Sequence, residues 1–277
     1  MKTLIYTLTT ASLFAFSLNA EQVISVTDHV TEIPLVEGHA PLHIQQWHED
    51  GDLQITGHDK ASIIVEITDF DSSKEDRDSA AIRYDEKTGR LRVSLRGDLD
   101  ESDLSYFVPI NSSVELKNSD GDVAISQIEG TIEVSADDGD IVMDQVAGSI
   151  EVRTDDGDIS ATGISGSLVA HSDDGDVELS VESGKGLEMA SIASEDGDID
   201  LLLPADFSGQ LAASTADGDF SCDFPVLMER YHKAPGINDK NSRSGLFKVA
   251  GLIGPDDSSD TRLSLATSDG DITIRKQ

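Results

Sequence analysis

From Gly121 onward the apolar residues fall in pairs two positions apart, each pair followed by a short turn. Ile132/Val134, Ile141/Met143 and Ile150/Val152 are such pairs, and Glu133, Val142 and Glu151 between them belong to the opposite face. A spacing of two is the strand period, so each pair marks a short strand with one buried face. The stretch divides without gaps into GDVAISQIE, GTIEVSADD, GDIVMDQVA, GSIEVRTDD, GDISATGIS, GSLVAHSDD and GDVELSVES, seven blocks of nine residues. Blocks starting Gly-Asp follow an acidic turn, and blocks starting Gly-Ser or Gly-Thr follow a neutral one. The unit is therefore eighteen residues, with Gly121, Gly139, Gly157 and Gly175 in register.

A strict repeat decides the fold class before any other feature. Two strand-turn blocks make one coil of a flattened β-solenoid, and coils stack about 4.8 Å apart. The expectation is an all-β, β-helix-like stack. Gly followed by Asp or Ser is read as the source of backbone freedom at each turn. Ile128, Val146 and Ile164 recur in the neutral turn and are expected to close that edge of the core, leaving the other edge acidic. Asp-Gly is also a hairpin signal, so an antiparallel β meander is the competing fold. The alternation in turn chemistry favours the solenoid.

The pattern continues with insertions at residues 195–203, 209–224 and 261–274. In GDFSC, Cys222 takes the inward slot held elsewhere by Met143 and Leu179, which predicts packing rather than reactivity. Residues 225–257 break the period and read as a long loop, with a short helix around 226–231. Residues 21–106 form a more irregular β-rich portion ahead of the repeat domain at 107–277. There, residues 61–69 read as a strand, and residues 80–95 as a hairpin turning at Glu86-Lys87-Thr88-Gly89. EDGDLQITG at 49–57 is an early copy of the motif. This portion is expected to cap the first coil, which would otherwise be an exposed edge.

The order VPINSSVELKNSDGDVAIS, the G-[ST]-I-E-V and DDGDI copies, the LLLPADF spacer and the closing RLSLATSDGDITI resemble an adhesin-like family of bacterial β-strand-repeat proteins carrying a Gly-Asp-Ile repeat. The likeness covers residues 107–277, with an echo at 49–57. The resemblance implies an exported β-solenoid-like domain with an adhesion or envelope role, and it brings no catalytic residues. This chain departs from it in acidity, having Asp-Asp-Gly-Asp where Ser-Gly-Asp would suffice.

Residues 1–20 look like a secretory signal: Lys2, an apolar stretch from Leu4 to Leu18, then small Ala20. The expected destination is the periplasm or the exterior, with no membrane insertion after cleavage. The chain of 277 residues has 54 acidic against 20 basic side chains and a net charge of −34. Such a charge repels nucleic acid and anionic lipid. The expected partner is an envelope or surface ligand, protein or glycan. With one cysteine no intramolecular disulfide forms, so stability must come from packing.

Stacking in register would align Asp138, Asp156 and Asp174 in one row, Asp140, Asp158 and Asp176 in another, and Asp137, Asp155 and Asp173 in a third. Unit charges about 5 Å apart repel by roughly 1 kcal/mol in water, so such rows need compensation from turn amides, raised carboxyl pKa values or bound cations. Calcium is the alternative reading of this edge, because clustered Asp oxygens suit it. The Gly-Gly-x-Gly-x-Asp turn of the calcium-binding β-roll is missing, however, and a solvated edge that prevents sticking is the expectation. His39, His43, His48 and His58, near Trp47, Asp50 and Asp52, match no metal spacing and read as surface residues. Arg96-Gly97-Asp98 reads as a turn, and Asn111-Ser112-Ser113 carries no weight as a glycosylation site.

No nucleophile elbow, zinc-protease motif or nucleotide-binding glycine pattern occurs. Polysaccharide-acting β-helix enzymes use a few carboxylates in unlike settings, whereas here the carboxylates are regular. The expectation is a non-catalytic exported scaffold without cofactor, with a calcium-binding β-roll-like protein and a polysaccharide-acting enzyme as the alternatives.

Overall fold

A computed structural model of the chain describes residues 5–6, 21–36, 38–68, 70, 73–182, 186–233, 247–255 and 259–277. The signal read over residues 1–20 lies outside the described residues apart from Ile5 and Tyr6. Two compact units are formed, Met1–Val134 and Ser135–Gln277, the division falling inside a strand. Among the described residues no helix is long and apolar enough to cross a membrane.

The first unit contains β1 (Ile5–Tyr6), β2 (Gln22–Ser25), β3 (Val30–Pro34), β4 (His43–His48), β5 (Leu53–His58), β6 (Ser62–Ile67), β7 (Ala81–Asp85), β8 (Arg90–Ser94), β9 (Leu104–Pro109), β10 (Ser113–Asn118) and β11 (Val123–Ser126), and ends within β12 (Glu129–Ala136). Its strands form two sheets, ordered β1-β2-β7-β8-β4-β10-β12 and β11-β5-β9-β6-β3. The early motif copy is a true repeat, since Leu53 and Ile55 pair in parallel with Val123 and Ile125. All four side chains are buried. The hairpin forms as expected, β7 and β8 pairing antiparallel from Asp85↔Arg90. Antiparallel β2–β7 and β3–β6–β9 pairs carry the unit's two sheets beyond the parallel strands.

The second unit contains β13 (Ile141–Asp144), β14 (Ala147–Thr154), β15 (Ile159–Thr162), β16 (Ser165–Ser172), β17 (Val177–Ser180), β18 (Leu187–Ser194), β19 (Ile199–Leu203), β20 (Gly209–Thr215), β21 (Phe220–Cys222), β22 (Val226–Lys233), β23 (Phe247–Ile253), β24 (Arg262–Thr267) and β25 (Ile272–Lys276). Its sheets run β14-β16-β18-β24-β20-β23-β22 and β13-β15-β17-β19-β25-β21. Each repeat strand pairs in parallel with the strand one coil away: Ile141 with Ile159, Ile159 with Val177, Ile150 with Leu168. A meander would pair successive strands, so the solenoid is the fold. The paired aliphatic residues make the core, each buried side chain contributing about 1.5–3 kcal/mol. Ile128, Val146 and Ile164 are buried beside them, while Val142 on the outward face is 47% exposed.

Two expectations are corrected. Residues 225–257 are not a loop with a helix at 226–231. Val226–Lys233 and Phe247–Ile253 are strands paired antiparallel, β23 also flanking β20, and residues 234–246 and 256–258 lie outside the described residues. The missing strand period there reflects strands outside the repeat register. The Gly-Asp glycines are also not there for turn flexibility, since Gly121, Gly139, Gly157 and Gly175 all lack a positive φ. They are there for space: a Cβ on Gly175 would lie 2.0 Å from the Gly157 carbonyl oxygen of the coil beneath. The left-handed backbone occurs instead at the neutral turn, at Gln127, Gln145 and Gly163 in equivalent positions, and among the Gly-Asp glycines of the motif copies only Gly51 of the early copy has a positive φ.

Candidate functional site

The acidic turns stack as the sequence implies, but the three rows differ in what their carboxylates do. Asp140 Oδ1 accepts the backbone N–H of Asp158 at 2.8 Å, and Asp158 Oδ1 accepts that of Asp176 at 2.8 Å. Asp176, Asp198 and Asp271 continue the ladder, accepting from Asp198, Asp271 and Asp219 at 2.7 Å each. The first unit repeats the device, Asp103 accepting from Asp52 and Asp52 from Asp122, both at 3.0 Å. A charge-assisted bond to a main-chain donor offsets the like-charge repulsion along this row.

The row of Asp137, Asp155 and Asp173 is compensated differently. Arg153, projecting from β14, lies 3.6 Å from Asp155 Oδ1 and 3.3 Å from Asp173 Oδ1, and His171 Nε2 lies 2.8 Å from Asp173 Oδ1. These groups are partly exposed, so each pair is worth little.

The middle row has neither device. Among the described residues the Asp138, Asp156 and Asp174 carboxylates meet no cationic or hydrogen-bonding side chain. Slight desolvation and the flanking charges of Asp138 and Asp174 raise the pKa of Asp156. In the first unit the matching Asp120 is raised chiefly by a hydrogen bond with Asp50. A carboxyl whose pKa is higher in the folded chain binds its proton more tightly there, so Asp156 favours the folded state below the ordinary carboxylate range and opposes it as pH rises through the folded pKa. Asp156→Asn is accordingly expected to raise the melting temperature at pH 7 and low salt. The gain should fade in 1 M NaCl, where screening length falls to about 3 Å, and as acid protonates the wild-type group. Asp158→Asn, which weakens the ladder, should lower the melting temperature. A lowered value for Asp156→Asn would refute this division of roles.

A further row was missed in the sequence reading. Ser172 Oγ donates to Gly157 O at 3.0 Å and accepts Gly175 N–H at 2.9 Å. Ser194 does the same toward Gly175 O and Gly197 N–H. Thr154, Thr215 and Thr267 donate to the corresponding glycine carbonyls. The signal was available: a small hydroxyl three residues before most repeat glycines.

The histidines do not converge. His48 is buried, its Nε2 2.9 Å from Ser102 O, and burial lowers its pKa. His39 Nδ1 meets Ala40 O, His58 Nδ1 accepts Lys60 N–H, and His43 lies near Glu115. Among the described residues no group of three or more His, Cys, Asp or Glu is arranged to hold a metal ion. Gly97 and Asp98 of the Arg-Gly-Asp tripeptide open a short 3-10 turn, and Ser112 is buried with its hydroxyl on Pro109 O. Cys222 stands in the Met143/Leu179 register as expected, pairing beside Ile274. It is only half-buried because β21 ends its sheet, and desolvation raises its thiol pKa.

Residues 35–275 match the model of the family described as Toastrack DUF4097, a longer span than the motif copies alone cover. A putative cell adhesion protein from Clostridium sporogenes is similar at 14% identity and TM-score 0.35, over 93% of this chain and 100% of that one. A putative adhesin from Bacteroides fragilis is similar at 12% identity and TM-score 0.40, over 92% of this chain and 98% of that one. No curated protein matches the sequence.

Proposed function

The chain belongs to the Toastrack DUF4097 family, and from that premise we propose that it is an exported, non-catalytic, adhesin-like scaffold that presents its sheet faces to a partner at the cell surface or in the periplasm. One observation carries the reading: two of the polar rows that recur along the stack, the Asp140 ladder and the buried hydroxyls, are spent on holding coils together. Asp140, Asp158 and Asp176 each engage a turn amide, and Ser172 and Ser194 bridge glycines. Catalytic carboxylates need unlike neighbours that push their pKa values apart, and a ladder makes its members alike. Export is supported by the leader-like residues 1–20, and the adhesin-like role by the motif resemblance.

Cell fractionation of the native protein, followed by capture of what travels with it, tests the proposal. The expected result is a leader-shortened chain outside the cytoplasm. A full-length cytosolic chain refutes export. Turnover of an acidic polysaccharide that one Asp→Asn change abolishes refutes the scaffold reading. A cation-binding reading has one observation in its favour, the uncompensated Asp138, Asp156 and Asp174 row, and a melting temperature that rises in Ca²⁺ over EDTA would support it.

A further inference from the structure

Within the first unit, strands β7, β8, β4 and β10 lie side by side and turn Arg83, Arg92, Arg90, Gln45, Trp47, Glu115 and Lys117 to the outside. Three features there run against ordinary sheet design. Trp47, the chain's single tryptophan, is 54% exposed on a flat face. Arg83 stands directly opposite Arg92 across the β7–β8 pair, and like charges so placed destabilise a sheet. Cations also gather here in a chain of net charge −34. Asp85 opposite Arg90 offsets part of this charge, but the exposed indole and the opposed arginines together mark a surface shaped for something else.

The side chains are held in place. Arg92 donates to Gln45 Oε1, Gln45 Nε2 donates to Glu115 Oε2 at 2.9 Å, and His43 Nε2 lies 3.4 Å from Glu115 Oε2. The Arg92 guanidinium sits 4.4 Å from the centre of the Trp47 ring, a cation–π contact that fixes both groups. Lys117 is the cross-strand neighbour of Trp47 on the other side. The indole is thus flanked by a cation on each side, at about one strand spacing of 4.8 Å.

We propose that this face binds an acidic polysaccharide, a linear sugar chain bearing carboxylates. The C–H face of a sugar ring covers the exposed indole, and its carboxylates pair with Arg92, Arg83 and Lys117, the guanidinium forks offering bidentate contacts. Glu115 is tied to Gln45 and His43 and orients the array. The large negative charge elsewhere does not cancel this local field, because exposed charges are screened beyond roughly 8 Å at physiological salt. A stiff duplex would meet the acidic edges, whereas a flexible single sugar chain need not.

The inference names a partner for the proposed scaffold, but its test uses purified protein and so is independent of export. Hexagalacturonate is titrated against the full chain while the emission of Trp47, the sole tryptophan, is followed, with calorimetry in parallel. Saturable binding is expected, with weakening as NaCl rises. Trp47→Ala and Lys117→Gln, both at exposed positions, should keep the wild-type melting temperature, the former binding about tenfold more weakly. Arg153→Gln in the other unit should bind as wild type. Absence of saturable binding, equal binding of hexaglutamate or maltohexaose, or full affinity in Trp47→Ala would each overturn the proposal.

Discussion

Gly175→Ala is expected to cost the second unit about 3 kcal/mol or more, because the added methyl has nowhere to go. Its Cβ would lie 2.0 Å from Gly157 O and 2.8 Å from Ser172 Oγ. The first neighbour is backbone, so no rotamer change relieves the clash; the coils must move apart. They are clamped on the carboxyl side of the glycine by Ile159 N–H to Asp176 O at 2.9 Å and by Asp176 N–H to Asp158 Oδ1 at 2.8 Å. Separation therefore also weakens the ladder on which neighbouring coils depend. In a stack where each coil contacts only its neighbours, one broken interface weakens the array on both sides. A melting temperature lower by roughly 6–12 °C, or loss of the folded signal, is the expected reading by circular dichroism. Gly186→Ala is the control: no atom lies within 4 Å of its would-be Cβ, and the change should stay within about 0.5 kcal/mol. Equal effects at the two sites would show that the repeat glycines do not serve close approach.

Much of this stack was legible in the sequence, and the physical reason is the coincidence of two periods. Alternation by two chose the buried face, and recurrence at eighteen residues chose the partner strand, so pairs such as Met143–Ala161–Leu179 followed. What was not legible depends on the third dimension. The closing copy at 261–274 is last in sequence, yet β24 lies between β18 and β20, and β25 between β19 and β21. No local pattern reveals that insertion, because its residues obey the same alternation wherever they sit. The segment at 225–257 failed as a reading for the opposite reason, since β22 and β23 pair outside the repeat register. The turn glycines were assigned to the wrong cause because a sequence shows what glycine permits, not what approaches it.

The candidate sites divide along the same line. Rows of aspartates were foreseeable from register, but their unequal roles were not: an acceptor for the next coil's amide and an unpartnered carboxylate are only two residues apart at Asp158 and Asp156. In the sequence His39, His43, His48 and His58 stand near Trp47 and read as surface residues with no common role. The surface Trp47 belongs to is assembled with Arg83 and Arg92 through the β7–β8–β4 order, which runs against chain order. Charge at the scale of the whole chain hid a local excess of the opposite sign.

The hydroxyl row gives the second large effect, and it can be isolated by near-isosteric pairs. Ser172 is fully buried, and its hydroxyl serves a donor and an acceptor that have no solvent to turn to, Gly175 N–H and Gly157 O. Threonine already holds the equivalent place at Thr154 and Thr267, so Ser172→Thr should fold and melt close to wild type. Ser172→Val has nearly the shape of threonine without the hydroxyl. It leaves two buried main-chain groups unmatched at about 1–3 kcal/mol each, an expected loss of roughly 2–6 kcal/mol relative to Ser172→Thr. The row itself contains one interruption, at buried Ala136, so a single missing hydroxyl is compatible with folding when the turn has settled around it. The loss at Ser172 should therefore appear as a lowered melting temperature of a folded protein. Equal melting of the valine and threonine variants would mean that these hydroxyls merely fill space, and that the coils are held by the aspartate ladder and the aliphatic core alone.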